Sequence, residues 1–187
     1  MNKITKNEIT AVILAGGQAV RMNGEDKGLI VFRELPLIAH VVNVTKPKVS
    51  QILISANRNF EEYANFGKVI SDDLEDYQGP LAGISKALKV CSTPYLLVLP
   101  CDSPLIDAAL IDSLIEKMEV SNVDICVAHD GSIMHATFAL IQTKLEKSLE
   151  EFLGEGGRKM ALWYRQQSLE RIDVSSHLEV LTNINRP

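Results

Sequence analysis

Residues 9–17 read ITAVILAGG, a short apolar run that ends at two glycines. The run is rich in β-branched residues and mostly apolar, which is typical of a strand buried on both faces of a parallel sheet. A second run of this kind, YLLVL, covers residues 95–99. Ligands of such sheets bind beyond the carboxyl ends of the strands. The residues that follow these two runs are therefore the first candidates for chemistry.

Strand and helix patterns alternate along the chain. Further strands are predicted over residues 51–56, 68–71, 124–128, 136–141 and 169–174. Helices are predicted over residues 36–45, 60–65, 80–90, 107–118, 144–153 and 158–166. No linker or repeat interrupts this order, so we predict one domain over residues 1–187. The alternation favours a three-layer α/β/α sandwich with a mostly parallel sheet.

Composition excludes several classes of protein. The 187 residues carry 24 Asp and Glu against 19 Lys and Arg, a net charge of -5, which is the wrong sign for a protein that coats nucleic acid. The apolar run at residues 11–15 is too short for a signal peptide or a membrane span. The three cysteines form no C-x-x-C pair. We expect a cytoplasmic protein that binds neither nucleic acid nor a membrane.

The loop after the first strand carries the strongest functional signal. Residues 14–28 read LAGGQAVRMNGEDKG, with Arg21 and Lys27 among four glycines. Glycines let backbone N–H groups converge on an anion, and the two cations supply charge that the acidic chain otherwise lacks. The loop is neither a dinucleotide G-x-G-x-x-G pattern nor a Walker A motif. A glycine-rich surface turn is the alternative, but the interleaved cations favour a triphosphate site.

This loop resembles the signature loop of sugar-phosphate-type nucleotidyltransferases, and most closely that of the molybdenum cofactor guanylyltransferase (MobA) family. The resemblance continues through ANR at 56–58, Asp72, GPLAG at 79–83, PCDSP at 100–104, HDG at 129–131 and TNIN at 182–185. It implies a Rossmann-like nucleotidyltransferase fold. It also implies transfer of GMP from GTP to molybdopterin-bound molybdenum, with release of pyrophosphate. Molybdoenzymes and other proteins of molybdenum cofactor biosynthesis are candidate partners.

Asp102 directly follows the apolar strand at 95–99 and its short proline-containing extension. A carboxylate at the mouth of a strand can hold Mg²⁺ against phosphate oxygens, and the resemblance implies that role. The alternative is a cap for the helix that begins near Asp107. Arg21, Lys27 and the cation would neutralise charge on the transferred phosphate. No general base is needed, because an attacking phosphate is already ionised at pH 7.

The resemblance also implies a set of nucleotide contacts: Leu14, Ala15, Gly16, Gly17, Lys27, Ser55, Asp72, Gly79, Gly83 and Asp102. The Asp72 carboxylate can accept from both N1–H and the 2-amino group of guanine. Small residues at 79–83 leave space for a flat base. Ser55 stands where the family pattern has an asparagine, so it predicts a weaker contact, with an ordinary strand-end serine as the alternative.

For the second half of the chain, the resemblance implies a molybdopterin side that contains Arg158, Asn183 and Asn185, with a solvated surface arginine as the alternative for Arg158. The two asparagines alternate, so an extended chain presents both on one face. They lie outside any helix or strand pattern, and we expect packing not to account for them. His129 and His135 flank a predicted hairpin and are interpreted as structural or pterin-lining, since two histidines do not make a zinc site.

Other activities fit the same patterns. The cytidylyltransferase of the same pathway and a sugar-phosphate nucleotidyltransferase would share the loop. A non-catalytic module that binds a nucleotide and delivers the cofactor is a third possibility. The presence of Arg21, Lys27 and Asp102 together argues against that module. Cys101 is predicted to be a small buried residue, and Trp163 and Tyr164 are predicted to lie in the core or at an interface.

Overall fold

A computed structural model describes residues 3–16, 26–71 and 79–184. The strands are β1 (Ile9–Leu14), β2 (Val31–Phe32), β3 (Leu35–Pro36), β4 (Gln51–Ser55), β5 (Lys68–Ile70), β6 (Tyr95–Pro100), β7 (Ile125–His129), β8 (Met134–Gln142) and β9 (Leu169–Asp173). The helices are α1 (Leu37–Thr45), α2 (Phe60–Ala64), α3 (Pro80–Val90), α4 (Ala108–Ser121), α5 (Glu146–Gly154) and α6 (Met160–Tyr164).

Seven of these strands form one sheet in the order β5-β4-β1-β6-β8-β7-β9. β8 is antiparallel to both of its neighbours, and the other pairings are parallel. β1 lies inside the sheet, where its last residue, Leu14, pairs with Ser55 of β4 and Pro100 of β6. The carboxyl ends of β1, β4 and β6 therefore meet at one edge, and this register places the loops that follow them side by side.

Both faces of the sheet are covered by helices, because the strand side chains alternate between two apolar cores. In β1, Ile13 belongs to the core under α1, α2 and α4, whereas Val12 belongs to the core under α3, α5 and α6. Trp163 and Tyr164 are fully buried in the second core. The predicted three-layer sandwich with a mostly parallel sheet is confirmed. None of the helices in the described part of the chain is long and apolar enough to cross a membrane.

Predicted boundaries of the main elements match within a few residues. The sequence patterns missed the β2–β3 hairpin, which precedes α1. Its turn residues Arg33 and Glu34 have φ angles of 46° and 71°. Hairpin turns with positive φ normally carry glycine or asparagine, and neither residue is present here. The local turn signal was therefore absent from the sequence.

Candidate active site

The candidate site starts at the carboxyl ends of β1, β4 and β6. The Ala15 N–H donates to the Ser55 carbonyl at 2.8 Å, and the Cys101 N–H donates to the Leu14 carbonyl at 3.2 Å. A Cβ added at Gly16 would lie 3.7 Å from the Ser55 carbonyl oxygen. These contacts extend the sheet by about one residue beyond each strand. The predicted contacts Leu14, Ala15 and Gly16 thus lie between the β4 and β6 loops.

Lys27 and Asp102 form the central charge pair at this edge. The Lys27 Nζ lies 3.5 Å from the Asp102 Oδ2, and the two side chains are 38% and 13% exposed. Asp102 does not cap the next helix, because the Asp107 carboxylate accepts from the Leu110 N–H at the start of α4. The structure therefore brings together a cation and a carboxylate that lie far apart in sequence and leaves both accessible to a ligand.

A buried carboxylate precedes Lys27. The side chain of Asp26 is 3% exposed, and its Oδ2 accepts from Arg58 Nε at 3.0 Å and from Asn59 Nδ2 at 3.3 Å. The Tyr63 hydroxyl donates to its Oδ1. Burial raises the pKa of Tyr63, and the hydrogen bond to Asp26 acts in the same direction, so the phenol remains a donor. Three groups from the β4–α2 region therefore hold the residue next to Lys27.

Gly28 allows this cluster to pack closely against the β6 loop. A Cβ added at Gly28 would lie 2.6 Å from the Tyr63 hydroxyl oxygen and 3.3 Å from the Cys101 Sγ. Cys101 is buried as predicted, and burial raises the pKa of its thiol, so it remains a neutral packing group. Because Cys101 is adjacent to Asp102, the contact at Gly28 links the positions of Lys27 and Asp102.

The start of α3 gives different surroundings to the two predicted glycines. Gly79 caps the helix with a φ of 74°, and an added Cβ there would meet nothing within 4 Å. A Cβ at Gly83 would lie 2.2 Å from the Ser55 Oγ and 3.4 Å from the Leu14 Cδ2. The small residue at Gly83 therefore allows the helix to pack closely against the strand ends. Ser55 is buried in this contact, and the predicted nucleotide contacts of Gly83 and Ser55 stay predictions.

The β7–β8 hairpin lies at the same edge. β8 is antiparallel to β6 and its last residue, Gln142, pairs with Tyr95 at the start of β6, so the start of β8 lies towards the carboxyl end of β6. His135 Nε2 lies 2.7 Å from the Asp130 Oδ2. The Oδ1 of Asp130 accepts from the backbone N–H groups of Ser132 and Ile133. In the described ranges, no three His, Cys, Asp or Glu side chains come together as a metal site. The hairpin thus fixes a histidine ring through a carboxylate in its own turn.

The C-terminal segment contacts the Asp102 loop directly. The Ser103 hydroxyl donates to the Asn183 Oδ1 at 2.6 Å, and the Ile184 N–H donates to the Asp102 carbonyl at 2.8 Å. The expectation that packing does not account for Asn183 is therefore wrong, because its carbonyl oxygen is held by a fully buried serine. A strand-like pairing pattern was absent, so the sequence carried no sign of this docking.

Known proteins are similar to this chain over most of its length. Residues 11–171 match the family model of the MobA-like NTP transferase domain. The molybdenum cofactor guanylyltransferase of Shewanella sediminis is 42% identical over 181 residues, which cover 96% of this chain and 92% of the relative. That of Pasteurella multocida is 41% identical over 177 residues, 94% of each chain. The chain belongs to the MobA-like NTP transferases.

Solved structures of two nucleotidyltransferase-type proteins share the fold of this MobA-like chain. A molybdopterin-guanine dinucleotide biosynthesis protein A from Archaeoglobus fulgidus superimposes with a TM-score of 0.77 at 21% identity, covering 96% of this chain and 93% of that one. A nucleotidyl transferase from Methanothermobacter thermautotrophicus gives a TM-score of 0.74 at 17% identity, covering 96% and 93%. The Rossmann-like nucleotidyltransferase architecture is therefore established for this chain, which is a member of a nucleotidyltransferase enzyme family.

Several of the predicted site residues lie in parts of the chain that the structure does not describe. Arg21, Gly17, Asp72 and Asn185 lie outside the described residues. Arg158 is described: its Nη1 donates to the backbone carbonyls of Leu153 and Gly157, at 2.8 and 2.7 Å. This arginine therefore closes the end of α5, and its predicted pterin contact stays a prediction.

Four residues of this MobA-like site were given no role from the sequence: Asp26, Arg58, Tyr63 and Ser103. All but Tyr63 lie within the motifs quoted above. The available signal was an acidic residue inside a loop otherwise read as an anion cradle. A carboxylate beside Lys27 would repel a triphosphate if it were exposed. Its burial under Arg58 and Tyr63 removes that conflict.

Proposed function

We propose that this protein transfers GMP from GTP to molybdopterin-bound molybdenum, forming the guanine dinucleotide cofactor and pyrophosphate. The observation that carries the proposal is the Lys27–Asp102 pair at the carboxyl edge, 3.5 Å apart, in a member of the MobA-like NTP transferases. The relatives that match nearly the whole chain are named for this reaction. The proposal includes a single domain, with a nucleotide side in the first half and a molybdopterin side in the second.

The reaction needs positioning and charge neutralisation more than covalent help from the protein. A terminal phosphate oxygen of molybdopterin attacks the α-phosphorus of GTP, and a new P–O bond forms. The bond from that phosphorus to the bridging oxygen breaks, and pyrophosphate leaves with its electrons. Lys27 would neutralise charge on the triphosphate, with Arg21 assigned to the same task by the family pattern.

Mg²⁺ suits the proposed site because Asp102 offers hard carboxylate oxygens on a side chain that is 13% exposed. Among the described residues it belongs to no group of three or more His, Cys, Asp or Glu side chains that could hold a metal ion. One carboxylate together with substrate phosphates is a usual way for proteins to bind Mg²⁺. When bound, the cation would supply charge neutralisation at the phosphates. Asp102 itself would hold it, with Lys27 limiting the negative charge at this edge.

The remaining assignments follow from the same proposal. Leu14, Ala15, Gly16, Gly17, Ser55, Asp72, Gly79 and Gly83 would line the nucleotide, and Arg158, Asn183 and Asn185 the pterin. The cysteines Cys91, Cys101 and Cys126 are all unpaired, which supports a reducing cytoplasm as the place of reaction. Other proteins of molybdenum cofactor biosynthesis, or molybdoenzymes, would receive the product.

Pyrophosphate release tests the proposal. Purified protein is mixed with molybdopterin-bound molybdenum, Mg²⁺ and each of GTP, CTP, ATP and UTP in turn. We expect release with GTP and a larger rise in melting temperature with GTP than with the other nucleotides. A preference for CTP would identify the cytidylyltransferase instead. Binding of GTP without any release would identify a delivery module.

A further inference from the structure

We propose that Asp26, Arg58 and Tyr63 form a positioning unit that holds Lys27 in place for a triphosphate. The inference rests on the proposed function for the identity of the nucleotide. Its structural basis is independent of that identity, since it concerns the position of one ammonium group. The unit acts through Lys27 and contacts no substrate atom itself.

Burying the Asp26 carboxylate is costly unless it is fully hydrogen-bonded. The Asp26 side chain is 3% exposed and is satisfied by three donors on one short segment of chain, residues 58–63. Replacing a buried ion pair by apolar residues is often neutral or stabilising, so such a pair is weak grounds for a purely stabilising role. A carboxylate with three directed partners does fix the position of the chain that carries it.

The connection from Asp26 to Lys27 is short. The two residues are adjacent, and a single 3-10 turn follows, in which the Leu29 N–H donates to the Asp26 carbonyl at 3.0 Å. The Ile30 N–H donates to the Lys27 carbonyl at 3.2 Å. Little backbone freedom therefore remains between the anchored carboxylate and the lysine.

The same cluster also contacts the loop that carries Asp102, the other half of the charge pair. Gly28 packs directly on the Tyr63 hydroxyl and the Cys101 Sγ, with no room for a Cβ. Tyr63 thus touches both Asp26 and the residue after Lys27, while Cys101 is bonded to Asp102. Together these contacts hold the backbone of Lys27 beside that of Asp102, and the Lys27 Nζ lies 3.5 Å from the Asp102 Oδ2.

A binding cycle tests this role. Calorimetric titration measures the affinity of Mg²⁺-tripolyphosphate and of Mg²⁺-GTP for wild type, Asp26→Asn, Lys27→Ala and the double variant. The Asp26→Asn side chain keeps nearly the same shape, but one carboxylate oxygen is replaced by an NH₂ group. This NH₂ donor then opposes a donor from either Arg58 or Tyr63. We expect about tenfold weaker binding of both ligands in the wild-type background and less than twofold in the Lys27→Ala background. Equal losses in both backgrounds would overturn the inference.

Tyr63→Phe is the less disruptive variant, and it replaces Asp26→Asn in the same double-mutant cycle if Asp26→Asn does not fold. Tyr164→Phe is its matched control, because Tyr164 is equally buried and its hydroxyl also donates one hydrogen bond, to the Ala136 carbonyl at 2.9 Å. Both variants should lose similar thermal stability. Only Tyr63→Phe should weaken tripolyphosphate binding, by about fivefold. Equal affinities in the two variants would contradict the positioning role.

The two ligands separate this inference from the proposed function. If tripolyphosphate shows the expected cycle but GTP binds no better than other nucleotides, the positioning unit stands and the guanine assignment fails. If GTP binds as proposed but the cycle is additive, only the positioning unit fails. If wild type binds neither ligand, the phosphate role of Lys27 is wrong and both proposals fall.

Discussion

The two sides of the site are held in different ways. On the side proposed to bind the nucleotide, here called the nucleotide side, side chains bind side chains across long stretches of sequence. Lys27 and Asp102 are 75 residues apart, and Asp26 and Arg58 are 32 apart. On the other side, polar side chains bind near neighbours. Asp130 and His135 are five residues apart, and Arg158 donates to backbone carbonyls one and five residues away.

The geometry of the two sides therefore depends on different kinds of contact. Contacts within a turn form whenever that turn forms, so the second side depends on local chain geometry. The nucleotide side requires three strand ends and α2 to pack correctly before its charges meet. We therefore expect substitutions on the nucleotide side to spread their effects, whereas those around the β7–β8 hairpin should stay local.

The largest expected effect is that of Asp102→Asn. The amide is nearly the same size but lacks the negative charge that would hold Mg²⁺, so turnover should fall about a thousandfold, measured as pyrophosphate release. Asp107→Asn is the control, because asparagine also caps helices well. Its turnover should equal that of wild type. Near-normal turnover of Asp102→Asn at limiting Mg²⁺ would remove Asp102 from the metal role.

A second test enlarges Gly28, where the nucleotide side is packed most closely. Gly28→Ala forces a Cβ against the Tyr63 hydroxyl and the Cys101 Sγ. We expect the free energy of unfolding in urea to fall by about 1–3 kcal/mol. Gly154→Ala is the matched control, since an added Cβ meets nothing within 4 Å at the end of α5. A loss in the control as large as that in Gly28→Ala would refute close packing as the cause.

The hydrogen bond between Ser103 and Asn183 is an exception to the comparison, because it joins residues 80 apart across both sides. Ser103→Ala and Asn183→Ala should each lower the free energy of unfolding by about 1 kcal/mol, the usual contribution of one hydrogen bond. The double variant should lose little more than either single one. Urea unfolding measures all four proteins, and fully additive losses would show that the bond contributes nothing.

The smallest expected effect lies in the hairpin. Hydrogen bonds from His135 and from the Ile133 and Ser132 N–H groups hold the pKa of Asp130 well below its ordinary value of about 4. A lowered folded-state pKa stabilises the fold above the unfolded value, and the contribution is lost as pH falls.

Asp130→Asn should therefore melt slightly below wild type at pH 7, and the difference should shrink from about pH 5 downward. Melting curves at pH 7 and pH 3 measure it. Nucleotide affinity at pH 7 should be unchanged, because the effect stays within the turn. A difference that grew on acidification would reverse the assigned sign. A change in nucleotide affinity would instead break the separation of the two sides.

The sequence alone was sufficient to predict the layers, the strand ends and the charged residues of the motif. Runs such as those at residues 9–14 and 95–100 can be buried only inside a sheet covered on both faces, because their residues are apolar on both sides. Parallel strands bring their carboxyl ends to one edge, so Lys27 and Asp102 could be expected to converge. Local periodicity carries that information.

The tertiary structure was needed for everything that depends on long-range register. The local sequence does not identify the partners of Asp26, since Arg58 and Tyr63 reach it only when the loop after β4 and helix α2 pack beside it. Likewise Asn183 meets Ser103 only because the chain returns to the β6 loop. Residue type and spacing describe what a side chain can bind, but hydrogen bonds between distant segments form according to the packing of the whole sheet and its helices.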